Sequence, residues 1–227
     1  MKHRVVVCGT GTEVGKTHVA CALIAHLVAT GEAVAGLKPI ESGVDGTSET
    51  DSAHLARHAG GEDLGACFAF HDPVSPHLAA RREARAIELD PIRRWVADHD
   101  APWQVVETAG GLLSPLSPEL TNLDLALALS PTSLVLCAPD RLGVLHDVAA
   151  TLLALGQAGL ADRTVVALSA PPEPDDSTGT NGTELDTLGR ADRPAVFPRA
   201  LTTDASTQQA AALLSARIAE VERLLPA

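Results

Sequence analysis

The stretch GTGTEVGKT, residues 9–17, decides the fold of this 227-residue chain. It follows a short apolar run at residues 5–8, which is typical of a buried strand, and it leads into a predicted helix over residues 16–29. Small residues before a helix N-terminus present converging N–H groups that bind phosphate. The pattern predicts a nucleotide-phosphate loop in which Lys16 reaches the β- and γ-phosphates and the Thr17 hydroxyl binds Mg²⁺.

The loop departs from the standard pattern G-x-x-x-x-G-K-[ST] at its first glycine. That glycine would stand at position 10, where this chain has Thr10 between Gly9 and Gly11, so the strict pattern fails. The strand before, the helix after and the closing G-K-T still favour a phosphate loop. A tight turn between strand and helix, the alternative, would not explain a lysine directed into the same space.

Strand-like apolar runs alternate with helical segments along the chain. The runs lie at residues 5–8, 33–37, 104–107, 133–138, 164–168 and 195–197, and the helical segments at 16–29, 51–58, 91–97, 123–129, 144–157 and 206–225. This alternation predicts right-handed crossovers and a mostly parallel sheet with helices on both faces, a three-layer α/β fold forming one domain over residues 1–227. Ligands of such sheets bind at the C-terminal ends of the strands. Residues 170–184, rich in Pro, Gly, Ser, Thr and acids, are predicted to form a mobile surface loop.

Composition and charge exclude several classes of protein. The chain has 17 Lys+Arg against 29 Asp+Glu, a formal net charge of −12, which argues against a nucleic-acid partner. No apolar run approaches the ~20 residues that span a bilayer, and the N-terminal run is too short for a signal peptide. We therefore expect a cytoplasmic protein without a membrane partner. The four cysteines, Cys8, Cys21, Cys67 and Cys137, have no C-x-x-C spacing, so neither a zinc site nor a disulfide framework is predicted.

Three more candidates for chemistry follow later strands or open a helix. Lys38 follows the second run and is either a phosphate ligand beside the loop or a surface lysine. Asp51 is either a helix N-cap, which the pattern alone favours, or a carboxylate that faces a metal. Glu107 closes a buried run, where a carboxylate is costly unless it binds a cation, so it is a good metal candidate. Gly110 and Gly111 after it let the backbone come close to a ligand.

Taken together, these segments resemble the dethiobiotin synthetase family. The resemblance rests on motifs in family order over about two-thirds of the chain. They are GTGTEVGKT at 9–17, KPIESG at 38–43, Asp51 in TDSAHL, SPH at 75–77, ETAGGLLSPL at 107–116 and LGVLH at 142–146. The resemblance implies a P-loop NTPase-like fold with a seven-stranded parallel sheet, a homodimer, and a ligase that uses ATP and Mg²⁺. That reaction carboxylates 7,8-diaminononanoate with CO₂, phosphorylates the carbamate, and closes the ureido ring when the second amine attacks the mixed anhydride.

The same resemblance implies roles for individual residues. Lys16, Lys38, Ser42 and Thr12 would act in catalysis, with Lys38 neutralising the carbamate and the γ-phosphoryl group. Magnesium would be held by Thr17, Asp51 and Glu107, against the cap interpretation of Asp51. The nucleotide would contact Thr12, Glu13, Val14, Gly15, Lys16, Thr17, His18, Glu107, Gly110, Pro198 and Arg199. The diamine substrate would contact Thr12, Lys38, Ser42 and Gly110, and across the dimer interface its carboxylate would contact Leu142, Gly143, Val144 and Leu145.

Three positions depart from the family pattern. Thr108 replaces a glycine, which we expect to be tolerated, and His146 replaces a common asparagine, which removes one expected contact to the substrate carboxylate. Many members end the sixth strand with Asn-Asp, and that asparagine reads the adenine edge; here Ser169 and Ala170 follow Leu168. A site that loses a hydrogen-bond partner loses discrimination, and the chain has no tyrosine to stack on a base. We predict relaxed base selectivity, with CTP or GTP used alongside ATP.

A different class, the partitioning and division-site ATPases, shares the deviant phosphate loop and works as a switch on DNA or membrane. Its signature lysine lies five residues before the G-K-T lysine, where this chain has Gly11. Its membrane-seeking members end in a basic amphipathic helix, whereas residues 206–225 hold only Arg217 and Arg223 as basic residues. A domain that keeps nucleotide only as a structural ligand would lack Lys38 or Glu107, and both are present.

Overall fold

Six parallel strands form the main sheet of the protein, in a computed structural model that describes residues 2–225. They are β1 (His3–Gly9), β2 (Val34–Leu37), β5 (Trp103–Glu107), β6 (Ser133–Pro139), β7 (Thr164–Ser169) and β8 (Ala195–Phe197), in the spatial order β2-β5-β1-β6-β7-β8. Two further strands, β3 (Ile40–Ser42) and β4 (Phe68–Phe70), form a separate parallel pair. The mostly parallel sheet predicted from the alternation is confirmed.

Helices lie on both faces of the main sheet. They are α1 (Lys16–Ala29), α2 (Asp51–His58), α3 (Pro76–Arg82), α4 (Leu89–Asp98), α5 (Asn122–Leu129), α6 (Val144–Gln157), α7 (Asn181–Thr187) and α8 (Ala205–Leu224), with a 3₁₀ turn at Ala161–Arg163. Side chains of β1 alternate between two hydrophobic cores, because successive strand residues point to opposite faces. Val5 and Val7 pack with α1 and α8, and Val6 and Cys8 pack with α5 and α6. No helix within residues 2–225 combines the length and apolar character needed to cross a membrane.

The main sheet has six strands, whereas the resemblance implied seven. The chain leaves the sheet after β2 at Pro39, which has no N–H group to donate to a neighbouring strand. It then forms β3, whose Ile40 pairs with Phe68 of β4 and not with the main sheet. This detour carries Lys38 and Ser42 away from the sheet edge and towards the phosphate loop.

The prediction of a loop over all of residues 170–184 was wrong at its C-terminal end, where α7 begins at Asn181. The buried carboxylate of Asp140, at the end of β6, accepts hydrogen bonds from Gly179 N at 2.8 Å and Asn181 Nδ2 at 2.7 Å. The polar residues that predicted a mobile loop thus also donate hydrogen bonds to a buried carboxylate. These bonds hold the segment against the end of β6.

Both tryptophans lie away from the C-terminal ends of the strands. Trp103 is the first residue of β5, and its ring stacks on His3 with 4.1 Å between ring centroids. Trp95, on α4, lies against His99 at 4.5 Å. The opposite edge of the sheet, where β1 ends at Gly9 and β5 ends at Glu107, carries the residues with predicted chemistry.

Candidate active site

The phosphate loop is held by close packing at two of its glycines. A Cβ on Gly9 would lie 2.7 Å from Val14 Cγ2, and a Cβ on Gly15 would lie 2.3 Å from Ser169 Oγ. Gly15 also has φ +87° and is the N-cap of α1, a conformation that side chains rarely adopt. Gly11 is less constrained, because a Cβ added there would lie 3.7 Å from its nearest neighbour, Val14 Cγ1. Within the loop, close packing therefore requires glycine at Gly9 and Gly15. Because position 10 is not one of these, Thr10 can replace the first glycine of the standard pattern.

Lys16 lies over the loop that precedes it. Its Nζ donates to Gly11 O at 2.9 Å, and the residue is only 6% exposed. Burial lowers the pKa of Lys16, and the nearby charge of Glu107 opposes that shift. The ammonium group thus lies at the loop whose N–H groups are predicted to bind a phosphate chain.

A buried ion cluster joins four separate elements of the fold. Lys38 Nζ donates to Asp51 Oδ2 at 2.8 Å and to Glu107 Oε1 at 2.7 Å. Glu107 Oε1 also accepts from Thr17 Oγ1 at 2.9 Å. Lys38 is 4% exposed and Glu107 1% exposed, so the surface-lysine alternative for Lys38 was wrong. The structure brings together residues that lie up to 90 positions apart in the sequence.

The electrostatics of this cluster keep Lys38 and Asp51 charged. Burial alone would lower the pKa of Lys38, but the carboxylates of Glu107 and Asp51 outweigh it and raise the pKa. Burial would likewise raise the pKa of Asp51, but Lys38 outweighs it and lowers the pKa. One ammonium group against two carboxylates leaves the cluster with an excess of negative charge, which favours a cation nearby.

The predicted metal ligands suit Mg²⁺ chemically. Thr17, Asp51 and Glu107 offer a hydroxyl and two carboxylates, and Mg²⁺ prefers such oxygen ligands while keeping waters and phosphate oxygens for the rest. Glu107 Oε2 is buried without a hydrogen-bond partner, which leaves an acceptor for a cation or its water. Among residues 2–225 there is no cluster of three or more His, Cys, Asp or Glu side chains suited to a metal.

Asp51 is not the N-cap of its helix. Thr50 is the N-cap, and its side chain accepts from Ala53 N at 3.1 Å, while Asp51 is the first helical residue and faces Lys38. A residue that sequence reasoning missed, Glu41, accepts from Asp51 N at 2.5 Å and is 6% exposed. Burial raises its pKa, and the N–H of Asp51 opposes this. The cost of a buried carboxylate, applied above to Glu107, is the signal that could have identified Glu41 as well.

Two cavities meet at the phosphate loop. One, of about 1130 Å³, lies towards the ends of β7 and β8 and is lined by residues 12–15, 18, 139, 141, 169–173, 199–201 and 204. The other, of about 670 Å³, is lined by residues 12–18, 38, 41, 42, 51, 73–76, 107, 109, 110 and 114. His18 lines both cavities and contacts Pro198 O through Nε2 at 3.2 Å. We call the first the base cavity and the second the phosphoryl cavity, after the parts of the nucleotide predicted to lie there. Of the predicted nucleotide contacts, Arg199 lines only the first cavity, Gly110 lines only the second, and Pro198 lines neither.

The proposed carboxylate site at residues 142–145 is separate from both cavities within one chain. Leu142 is 80% exposed, and its N–H donates to Asp175 Oδ2 at 2.8 Å. The N–H of Val144 donates to Arg141 O. Of the four residues, Gly143 and Leu145 are the two whose N–H groups have no hydrogen-bond partner within residues 2–225.

A closely packed glycine-containing loop joins a parallel strand to a helix, and a buried lysine and carboxylates lie beside it. These features define a P-loop nucleotide-binding protein. Residues 3–213 match the protein-family model described as AAA domain. The septum site-determining protein MinD complexed with Mg-ADP, from Pyrococcus horikoshii OT3, is similar in structure with a TM-score of 0.57. The similarity covers 99% of this chain and 100% of that chain at 14% sequence identity, so it shows the fold alone.

Sequence relatives identify the family within this class. The ATP-dependent dethiobiotin synthetase BioD of Caulobacter vibrioides (strain NA1000 / CB15N) is 35% identical over 178 residues, which cover 74% of this chain and 81% of the relative. The BioD of Anaeromyxobacter dehalogenans (strain 2CP-C) is 39% identical over 199 residues, covering 85% and 88%. The chain belongs to the dethiobiotin synthetase family, and the resemblance drawn from its motifs is confirmed.

Proposed function

We propose that this chain acts in the cytoplasm as an ATP- and Mg²⁺-dependent dethiobiotin synthetase, with 7,8-diaminononanoate and CO₂ as its small-molecule substrates. The observation that carries the proposal is the position of Lys38. Its ammonium group is held between Asp51 and Glu107 in the cavity that also contains the phosphate loop and Ser42. A fixed positive charge there can stabilise negative charge on a carbamate and on a transferring phosphoryl group at the same time.

The chemistry proceeds in three balanced steps. One amine of the substrate adds to CO₂ and loses a proton, giving a carbamate. A carbamate oxygen attacks the γ-phosphorus of ATP, and ADP leaves. The second amine then attacks the carbamoyl carbon, phosphate leaves, and the ureido ring closes with the loss of a proton.

On the nucleotide side, the N–H groups of residues 12–17 and the ammonium group of Lys16 bind the phosphate chain. Mg²⁺ in such a site neutralises charge on the β- and γ-phosphates, and Thr17, Asp51 and Glu107 would hold it. Lys16 exchanges its contact with Gly11 O for phosphate oxygens, which are stronger acceptors because they are charged.

On the substrate side, Ser42 and Thr12 line the phosphoryl cavity and are the hydroxyl groups proposed to contact the diamine or carbamate. Ser42 Oγ is buried and has no hydrogen-bond partner, which supports a contact with the diamine or carbamate, since buried hydroxyls are normally paired. Gly110 has φ +84° and lines the same cavity, so its backbone can approach the substrate closely. Ser114 also lines this cavity, and its Oγ accepts from Gly111 N at 2.9 Å.

A homodimer would complete the site. Residues 142–145, at the start of α6, lie outside the cavities of their own chain, and Leu142 and Gly143 among them are exposed. This position supports their use by a neighbouring chain's substrate carboxylate. Large apolar side chains are also exposed on and near α6: Leu142 just before the helix is 80% exposed, Leu153 within it 66%, and Leu113, which lines a cavity with Ala150 and Thr151 of the helix, 59%. Apolar side chains exposed together favour a protein interface.

The proposed function predicts that phosphate release depends on both co-substrates. With ATP and Mg²⁺ present, omission of either diaminononanoate or bicarbonate should reduce release to the background rate, because each is needed to form the acceptor of the phosphoryl group. A coupled phosphate assay with each component omitted in turn measures this. Release that continues without the diamine would contradict the proposal and favour a nucleotide-switch ATPase.

We also predict relaxed base selectivity. Ser169 ends β7, and its Oγ packs against Gly15 of the phosphate loop. The next three residues, Ala170, Pro171 and Pro172, form the wall of the base cavity after β7. This wall offers no side-chain amide to read an adenine edge, so CTP or GTP should support turnover within about tenfold of ATP. Steady-state rates with the four nucleoside triphosphates measure this, and strict dependence on ATP would refute it.

A further inference from the structure

Glu41 is a buried carboxylate in the phosphoryl cavity that takes no part in the chemistry proposed above. It lies on β3, three residues after Lys38 and one before Ser42. Its two oxygens accept from the first two N–H groups of α2, Oε1 from Asp51 N at 2.5 Å and Oε2 from Ser52 N at 3.4 Å. One side chain therefore connects the strand that follows the lysine to the helix that carries the aspartate.

The start of α2 depends on this contact. The first N–H groups of a helix have no partner inside the helix and must be satisfied from elsewhere. Thr50 satisfies Ala53 N, and Glu41 satisfies the two N–H groups before it. A carboxylate at this position is also favoured by the partial positive charge of the helix N-terminus.

The chain between the two elements gives little support of its own. Residues 45–49 are exposed, and Gly43 and Gly46 within this connection have φ +83° and +76°. Within the connection, Asp45 accepts from Thr47 N and Ser48 N, and these contacts do not reach Asp51. Asp51 is held by Lys38 at its carboxylate and by Glu41 at its backbone N–H.

We propose that Glu41 is a positioning residue for Asp51, which fixes the start of α2 so that the Asp51 carboxylate faces Lys38 and the Mg²⁺ position. The inference rests on the proposed function, which makes Asp51 a magnesium ligand. Residues that orient metal ligands typically change metal affinity when they are replaced.

The test compares Glu41→Gln with Thr50→Ala in the full-length protein. Glutamine keeps the length of the side chain, but its amide NH₂ faces an N–H group of the helix, so one contact becomes repulsive. Thr50→Ala removes a different cap at the same end of α2 and serves as the matched control. Titration calorimetry with MgCl₂, in the presence of a non-hydrolysable ATP analogue, measures the metal affinity, and a thermal melt measures stability.

Glu41→Gln should weaken Mg²⁺ binding by about tenfold, while binding of the analogue without metal changes by less than about twofold. Thr50→Ala should lower the melting temperature by about 3 °C and leave the Mg²⁺ affinity unchanged. Equal Mg²⁺ affinities in both variants and the wild type would overturn the inference. If Glu41→Gln does not fold, Glu41→Asp, which keeps the charge but falls one methylene short of the helix, serves the same comparison.

An Asp51→Asn variant separates this inference from the proposed function. Weakened Mg²⁺ binding in Asp51→Asn together with normal binding in Glu41→Gln would refute only the role of Glu41. Unchanged Mg²⁺ binding in Asp51→Asn would remove Asp51 from the metal site and overturn the inference, while the proposed function is still tested separately by the dependence of phosphate release on both co-substrates.

Discussion

Replacing Lys38 with alanine is expected to lower the rate of dethiobiotin formation by about 10³-fold, the scale of losing a charge that acts on a phosphoryl group in transfer. Lys38 is the ammonium group between the two carboxylates and the substrate cavity, and its burial excludes water as a substitute. Initial rates of ADP formation with saturating diamine and bicarbonate measure the effect. Activity close to that of the wild type would remove Lys38 from the mechanism.

The same variant should still fold, with lower stability. Removing the lysine leaves the buried Glu107 without its partner, and breaking a buried ion pair costs about 3 kcal/mol. Added Mg²⁺ should therefore raise the melting temperature more in Lys38→Ala than in the wild type. Lys2→Ala is the matched control, because Lys2 is one of only three lysines in the chain and pairs with Asp100 at the surface.

Replacing Gly15 with alanine is expected to weaken nucleotide binding on the order of 10²-fold, the scale that a displacement of about 1 Å imposes on a site. The new Cβ would lie 2.3 Å from Ser169 Oγ and 2.6 Å from Ser169 Cβ, and the φ of +87° adds backbone strain. The loop must therefore move away from β7, which displaces the N–H groups that bind phosphate. Calorimetric titration with an ATP analogue measures the loss.

Gly31→Ala is the matched control for this prediction. Gly31 has a similar φ of +91°, but a Cβ there would have no neighbour within 4 Å. It should cost about 1 kcal/mol of stability and leave nucleotide binding intact. The double variant Gly15→Ala/Ser169→Gly should recover part of the binding, because it removes the contact and keeps the strain. Equal nucleotide affinities in the two single variants would show that contact with Ser169 has no effect.

The sequence predicted the long elements of the fold well because their ends carry clear signals. The helices that begin at Lys16, Asp51 and Val144 match their predicted bounds to the residue. The three-residue strands β3 and β4 were not predicted. Their pairing depends on the break at Pro39 and on a contact between distant segments, which local patterns do not contain.

The candidate site was predicted unevenly. Thr17 and Glu107 were predicted beside the phosphates from their places at strand ends, whereas the strand pattern left Lys38 open and the family resemblance placed it there. The structure has the three in hydrogen-bond contact. Glu41 was missed because its importance comes from a contact with Asp51 across an exposed connection. The roles of residues 142–145 stay predictions, because a single chain does not bring them to either cavity.

The distribution of tryptophans determines what the intrinsic fluorescence of this protein can report. Trp103 and Glu107 occupy opposite ends of β5, about 13 Å apart along the strand, and the chain has no tyrosine. Emission therefore comes from Trp103, stacked on His3, and from Trp95, beside His99, far from the phosphate loop. The native fluorescence is an indicator of unfolding at the N-terminal edge of the sheet, and a nucleotide-binding signal requires a reporter introduced near the loop.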